Sequence, residues 1–313
     1  VDPHLPIRLT GLMTIPGPAL AIAAMVSVQL GAALSTHLFE AVTPAGSTWL
    51  RVAIAAVILL AIIRPSLRSI PRKALLSTTL LGAMTGLMML MFIEAVARIP
   101  LGTASAIEFL GPLTIAALRS RRRVALLWPA LALGGVVALT QPWTGRLDLL
   151  GILFALGAAC GWAGYILLTQ RVGEQLHGLQ GLALSLTVGA IVIAPFGAVP
   201  AIAGMTALVG LEAVGLALLV PLIPFILELM ALRRMRVAAF GTLMALEPGI
   251  ATVLGLLVLA QAPNPLQLLG IVLVVAAGIG AQRVSAPPDR PVVSPTVPPV
   301  DPPVQSPGPG LGS

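Results

Sequence analysis

Charge is scarce in this chain. Only 9% of its 313 residues are Asp, Glu, Lys or Arg, against about a quarter in a soluble domain. So few charges cannot clothe a surface facing water, so a soluble enzyme or binding module is excluded. A single cysteine, Cys160, rules out an intrachain disulfide; inside an apolar run, it reads as a small packing residue. Aromatics make up 4% with one tyrosine, so the net charge of +7 has no stacking partners beside it and does not point to nucleic acid. The three histidines, His4, His37 and His177, are too scattered to suggest a metal site. H-E-x-x-H, G-x-S-x-G, G-x-x-x-x-G-K-S/T and C-x-x-C are all missing. Neither an enzyme nor a direct ATP-driven pump is expected, and no cofactor.

What is present is apolar. Hydrophobic residues make up 58% of the chain, and they fall into runs of the roughly 20 residues that a membrane-spanning helix needs. Ten spans are expected, at about 17–38, 44–63, 74–97, 101–118, 124–140, 149–170, 179–199, 208–231, 237–259 and 265–282. The first exceeds a secretory apolar region of about 7–15 residues and reads as a retained helix. With the N-terminus inside, 15 of the 18 Lys and Arg fall in inside loops, Arg98 and Arg146 outside, and Arg51 within the second helix. That bias puts both termini in the cytoplasm.

The chain also repeats. Sliding it on itself by 136 residues brings Arg98 onto Arg234, Leu110 onto Leu246, Pro112 onto Pro248 and Pro129 onto Pro265. Over residues 92–139 nine positions are identical without a gap. Helices 3, 4 and 5 then map on 8, 9 and 10. Each half holds five helices, an odd number, so the second half must cross the membrane in the opposite sense. The expected fold is an all-α integral membrane protein of ten helices in two inverted five-helix repeats, residues 17–140 and 149–282. A cytoplasmic segment, 1–16, precedes them. A Pro-rich tail, 283–313, follows; its composition favours a disordered chain with polyproline character.

Corresponding Gly/Pro-interrupted segments in two halves point to a transporter's central site. Both carry a carboxylate here, and ionisable groups in a bilayer are costly and usually functional. Glu108 lies four residues before the helix-breaking Pro112. Glu247 directly precedes Pro248, which removes a backbone donor and opens the local turn. In the repeat frame Glu247 falls on position 111, one turn from Glu108, so both acids can reach one asymmetric cavity. Apolar surroundings there favour the neutral acid, as a proton carrier requires. Arg51 could pair with a substrate carboxylate, neutralise Glu40 or Glu94, or snorkel outward. Gln29 is an uncharged polar candidate. Trp162 and Tyr165, one turn apart, line a cavity or pack. Glu94 reads as an i,i+4 partner of Arg98, and Glu228 as a structural partner of Arg233 and Arg234.

Several stretches carry a family likeness: Ser27–Ala32, Leu50-Arg51, Ile99–Gly102, Ile107–Pro112, Trp162–Leu167 with Gln170-Arg171, Leu227–Leu232, and Phe240–Met244 with Glu247-Pro248. Over about residues 18–282 the chain resembles the drug/metabolite transporter superfamily in its EamA-domain branch. Among these it is most similar to bacterial inner-membrane exporters of the threonine/homoserine class. The resemblance implies efflux of small hydrophilic amino acids coupled to inward proton movement. Gln261 stands where such proteins often carry Glu. The resemblance carries no residue list; the physical reading of the residues has Glu108 and Glu247 exchange protons, Arg51 and Gln29 contact the amino-acid head group, and Trp162 and Tyr165 shape the pocket. The expected partners are the lipid bilayer, substrate and protons, with a homodimer left open. Another metabolite or a toxic cation as cargo remains an alternative, as does a non-transporting sensor using the tail.

Overall fold

The computed structural model describes residues 15–65, 71–119, 123–144, 148–175, 180–232, 234–235 and 237–285. Most of the N-terminal segment and the Pro-rich tail from residue 286 lie outside the described residues. Among the described residues there is no strand, and nine helical stretches are long and apolar enough to cross a bilayer. The chain is an all-α membrane protein.

The helices are α1 Gly17–Ser35, α2 Phe39–Ile63, α3 Arg72–Val96, α4 Leu101–Glu108, α5 Leu110–Arg119, α6 Leu127–Thr140, α7 Leu149–Gln175, α8 Gln180–Ala203, α9 Ala207–Ala217, α10 Ile223–Leu232, α11 Val237–Met244, α12 Glu247–Leu259 and α13 Pro265–Ser285. The first apolar stretch, Gly17–Ile63, runs for 47 residues. Straight, it would be about 70 Å long, more than twice a bilayer's hydrocarbon core. It does not run straight. A short 3-10 turn spans Thr36–Leu38, and Thr43, ahead of Pro44, leaves helical geometry with φ 63° and ψ 164°. Arg51 Nη1 reaches Ser35 Oγ at 3.3 Å. Sixteen residues of straight helix would separate these two by about 24 Å, beyond the reach of an arginine, so the chain folds back between α1 and α2. The gap expected near residues 39–43 is therefore mostly helix, with the irregularity confined to Thr43.

Two further spans are interrupted close to the prolines that the sequence marked as helix-breaking. The span 101–119 is interrupted at Phe109, between α4 and α5. The span 237–259 is interrupted at Ala245 and Leu246, between α11 and α12. Phe109 and Ala245 are themselves 136 residues apart. The prolines explain the position. Pro112 and Pro248 each sit in the first turn after the break, where a missing N–H is tolerated because no intrahelical partner is required.

Alanines are prominent among the buried residues, beside larger ones such as Met25, Ile93 and Ile107, while many large apolar residues face outward. Ala21, Ala24, Ala33, Ala55, Ala104, Ala158 and Ala251 are all at most 0% exposed, whereas Val57, Ile191, Val199, Leu211 and Leu257 are more than 60% exposed. Lipid is as apolar as leucine, so helices associate by close packing of small residues instead of by hiding apolar ones. Gly157, Gly161 and Gly164 of α7 receive Met91, Met88 and Met84 of α3 in antiparallel order. Gly86 of α3 lies on Gly189 of α8: a Cβ on Gly86 would stand 2.7 Å from the Gly189 carbonyl oxygen. The other main pairings join α2 to α8, α6 to α13, α4 to α12 and α1 to α10. Cys160, expected to be a packing residue, is exposed on α7.

A side chain at Gly86 would force α3 and α8 apart. Gly86→Val is expected to lower stability by about 1–3 kcal/mol, read as a fall in thermal unfolding temperature in detergent, while the lipid-facing Val57→Ala leaves it nearly unchanged.

Candidate functional site

The breaks bring polar groups to the middle of the bundle. Glu108 closes α4 and Glu247 opens α12, so each acid sits at a helix end beside a break, on opposite sides of it. They are 7% and 5% exposed. The two are close enough for their charges to interact. Pro112 and Pro248 cannot donate to the carbonyls four residues earlier, those of Glu108 and Met244, which frees backbone oxygens at the same level.

Gln29 joins α1 to this centre. Its side chain is fully buried, and Nε2 donates to Glu247 Oε1 at 3.0 Å and, more weakly, to Ser105 Oγ of α4 at 3.4 Å. Gln29 is thus the orienting partner of Glu247. Two buried acceptors remain without a hydrogen-bond partner, Gln29 Oε1 and Glu247 Oε2. An open pair of acceptors is suited to an incoming donor, whether a proton or an ammonium group.

Trp162 of α7 packs edge-on against Phe109, the residue at the first break, with ring centroids 6.2 Å apart and planes at 72°. Gly278 of α13 touches both breaks: a Cβ there would lie 2.6 Å from the Phe109 ring and 2.6 Å from the Ala245 side chain. Tyr165 is half-buried against Ala74, Leu81 and Val172, within electrostatic reach of Glu228. Glu228 in turn lies within reach of Glu247. Sequence reasoning missed this residue as part of the site, because the neighbouring Arg233 and Arg234 offered themselves as partners. Arg233 is outside the described residues, and Arg234 Nη1 donates to the Ile15 carbonyl. The available signal was that Glu228, like Glu108 and Glu247, is an acid inside an apolar run.

Arg51 is not brought to these acids. It is 2% exposed, so it does not snorkel. Nη1 donates to Ser35 Oγ, while Nε is buried without a partner. Among the described residues the one ion pair is Arg98 with Glu94, as its i,i+4 spacing foretold; Arg98 also lies over the Phe154 ring. Neither Glu94 nor Glu40 neutralises Arg51. Ser35 lies six residues beyond Gln29 on α1, about 9 Å of helical rise. An isolated guanidinium in a low-dielectric interior costs several kcal/mol unless an anion joins it. The site therefore has two polar foci: a cluster of acids, and a buried guanidinium that no acid among the described residues pairs with.

Comparison with known proteins identifies the family. The EamA-like transporter family matches residues 149–280. The threonine/homoserine exporter RhtA of Escherichia coli K12 is 36% identical over 265 residues, covering 83% of this chain and 89% of that protein. The chain belongs to the EamA-like transporter family. The threonine/homoserine exporter RhtA of Salmonella typhimurium LT2 is likewise 36% identical, over 262 residues, covering 82% of this chain and 88% of its own length. A solved crystal structure, 19% identical, shares the fold with a TM-score of 0.56 across 85% of this chain and 96% of that one. Membership and the apolar helices together make this EamA transporter a multi-pass membrane protein.

Gln29→Leu removes the amide that holds Glu247 and leaves buried oxygens without a donor. It is expected to cost about 1–3 kcal/mol, measured as thermal stability in detergent. Glu247→Gln, which can still bond the Gln29 amide, is expected to stay close to the parent.

Proposed function

We propose that this chain is a secondary exporter of small hydrophilic amino acids, of the threonine/homoserine class, in a bacterial inner membrane. Export is driven by inward proton movement through alternating access. The observation that carries the reading is Arg51, a buried guanidinium without a counter-ion, set apart from buried acids with open oxygens. It is built for a carboxylate that the described chain does not supply. The relatives named above, exporters of threonine and homoserine, agree with that cargo.

In this reading Arg51, with the Ser35 hydroxyl, holds the substrate carboxylate. Glu108 and Glu247 carry protons, and Gln29 holds Glu247 in place. Trp162 and Tyr165 shape the space between them. No acid among the described residues pairs with Arg51, so the two foci are distinct groups. Protons and substrate are therefore coupled through the two conformations of the bundle instead of by competing for the same oxygens.

The architecture proposed is ten spans, with Gly17–Ile63 counted as two, in inverted halves with both termini cytoplasmic. The breaks at Phe109 and Ala245, 136 residues apart, support the repeat. So does the exchange of pairings: α3 against α7 in one place, and its counterpart α10 against α1 in the other. The arginine bias supports the orientation. A second cargo, an organic cation, draws on the acid cluster alone, since Glu228 adds a third carboxylate beside Glu247.

Proteoliposomes loaded with labelled threonine and given an inward proton gradient test the function. The parent chain is expected to release label faster with the gradient than without. Arg51→Gln is expected to lower efflux at least tenfold, the equivalent of about 1.4 kcal/mol. Cation export would instead leave Arg51→Gln active, with organic cations out-competing homoserine.

Under the same conditions Glu108→Gln is expected to abolish stimulation by the gradient while threonine–threonine exchange persists. Gradient-stimulated efflux in that variant would remove Glu108 from the coupling.

A further inference from the structure

A cavity of about 600 Å³ opens at the end of the bundle where α4 and α7 begin and α6 ends. It is separate from the acid cluster. Polar side chains line much of it, among them Thr103, Gln141, Thr144, Asp148, Asn264 and Gln267. A smaller lobe of about 190 Å³ adjoins it, bounded by Gln261, Thr252 and the shared Thr103 and Gln267.

The amides form a fixed frame. Gln141 Nε2 donates to Asn264 Oδ1 at 3.0 Å, and Asn264 Nδ2 donates back to Gln141 Oε1 at 3.2 Å. Asn264 and Gln267 cap one another's backbone N–H groups at 2.9 Å each. Gln261 Oε1 accepts from the Leu101 N–H at 2.9 Å, closing the start of α4. Asp148 is the one charged side chain among the described lining residues. Its Oδ1 accepts from the Gly151 N–H at 2.7 Å, capping α7 and fixing the carboxylate. Its Oδ2 has no hydrogen bond among the described residues.

We infer that this vestibule is a second binding site for the exported solute, one that selects a small hydrophilic molecule carrying an ammonium group. Asp148 takes the ammonium, and the hydroxyl and amide rim takes the remaining polar atoms. A purely anionic solute is repelled by the same carboxylate. The floor of the vestibule is the contact of α4 with α12. A Cβ on Gly102 would lie 3.0 Å from the Thr252 Cα, so α12 rests directly on the α4 backbone there. Glu108 is five residues beyond Thr103, about 7.5 Å deeper along α4. The solute thus has one stop on each side of a helix contact that must part for it to pass. The direction of traffic rests on the exporter reading; the binding site does not.

The test is equilibrium binding of labelled L-threonine to the full chain in lipid nanodiscs. Asparagine caps a helix as well as aspartate does, so Asp148→Asn removes the charge and keeps the cap. It is expected to weaken one binding component about tenfold, the scale of a charge-assisted hydrogen bond. Glu247→Gln is expected to retain that component, and N-acetyl-L-threonine, which lacks the ammonium, to compete poorly for it. Thr103→Val, nearly isosteric, is expected to weaken the same component and serves if Asp148→Asn fails to fold. Binding by Asp148→Asn equal to that of the parent, or full competition by the acetylated compound, overturns the proposal; so does an absence of threonine binding to the parent. A chain that binds as described but releases no threonine from proteoliposomes keeps the vestibule site and loses the exporter reading.

Discussion

An acid inside an apolar bundle needs a partner other than water, and for Glu247 that partner is the Gln29 amide. Much of the centre follows from this one bond. It requires α1 to lie against α12 and, through Ser105, against α4. It requires α12 to start where it does, because an acid at a helix opening is favoured by the N-terminal end of the helix dipole. The proline after Glu247 helps fix that start. The first turn of a helix accepts a proline that its interior would not, so the break and the acid are placed by the same two residues. Glu108 has the reverse setting: it ends α4, and its break follows it. The two carboxylates are neighbours with different electrostatic backgrounds, which fits groups that do not share a role.

The rest of the bundle is arranged so that this centre can exist. Alanines and glycines at the helix contacts let helices approach closely without a water-driven core, and many large apolar residues face outward. Close approach leaves little space at the centre except where a helix is interrupted. The two buried acids lie beside the interruptions. Arg51 is a second buried polar focus, bonded to Ser35 and without an acid partner among the described residues, a costly arrangement in a low-dielectric interior.

The membrane class was legible from the shortage of charge, and the two broken segments from Pro112 and Pro248. Glu108, Glu247 and Gln29 could be chosen from sequence because ionisable and amide groups are conspicuous in apolar runs. Their grouping was only half visible. The 136-residue register put the acids near one another, but nothing in one dimension tied Gln29 to Glu247. The exact positions of the interruptions, a few residues before the prolines, were not legible, since periodicity runs smoothly through Phe109 and through Ala245. Arg51 offered three readings, one of them pairing with Glu40 or Glu94; geometry assigned Glu94 to Arg98 instead. The vestibule was invisible. Its amides, at positions 141, 264 and 267, belong to chain segments more than a hundred residues apart and meet only when α6 lies along α13.

Gly278 has a mechanical meaning. It touches Phe109 on one side and Ala245 on the other, and these are the pivots of the two interrupted spans. Two joints that bear on the same small surface cannot swing independently: motion at one displaces the shared bearing and loads the other. Close-packed interiors transmit such displacements because they hold no slack to absorb them. Were the two spans to bend at these points, they would bend as a single linkage rather than as two separate hinges.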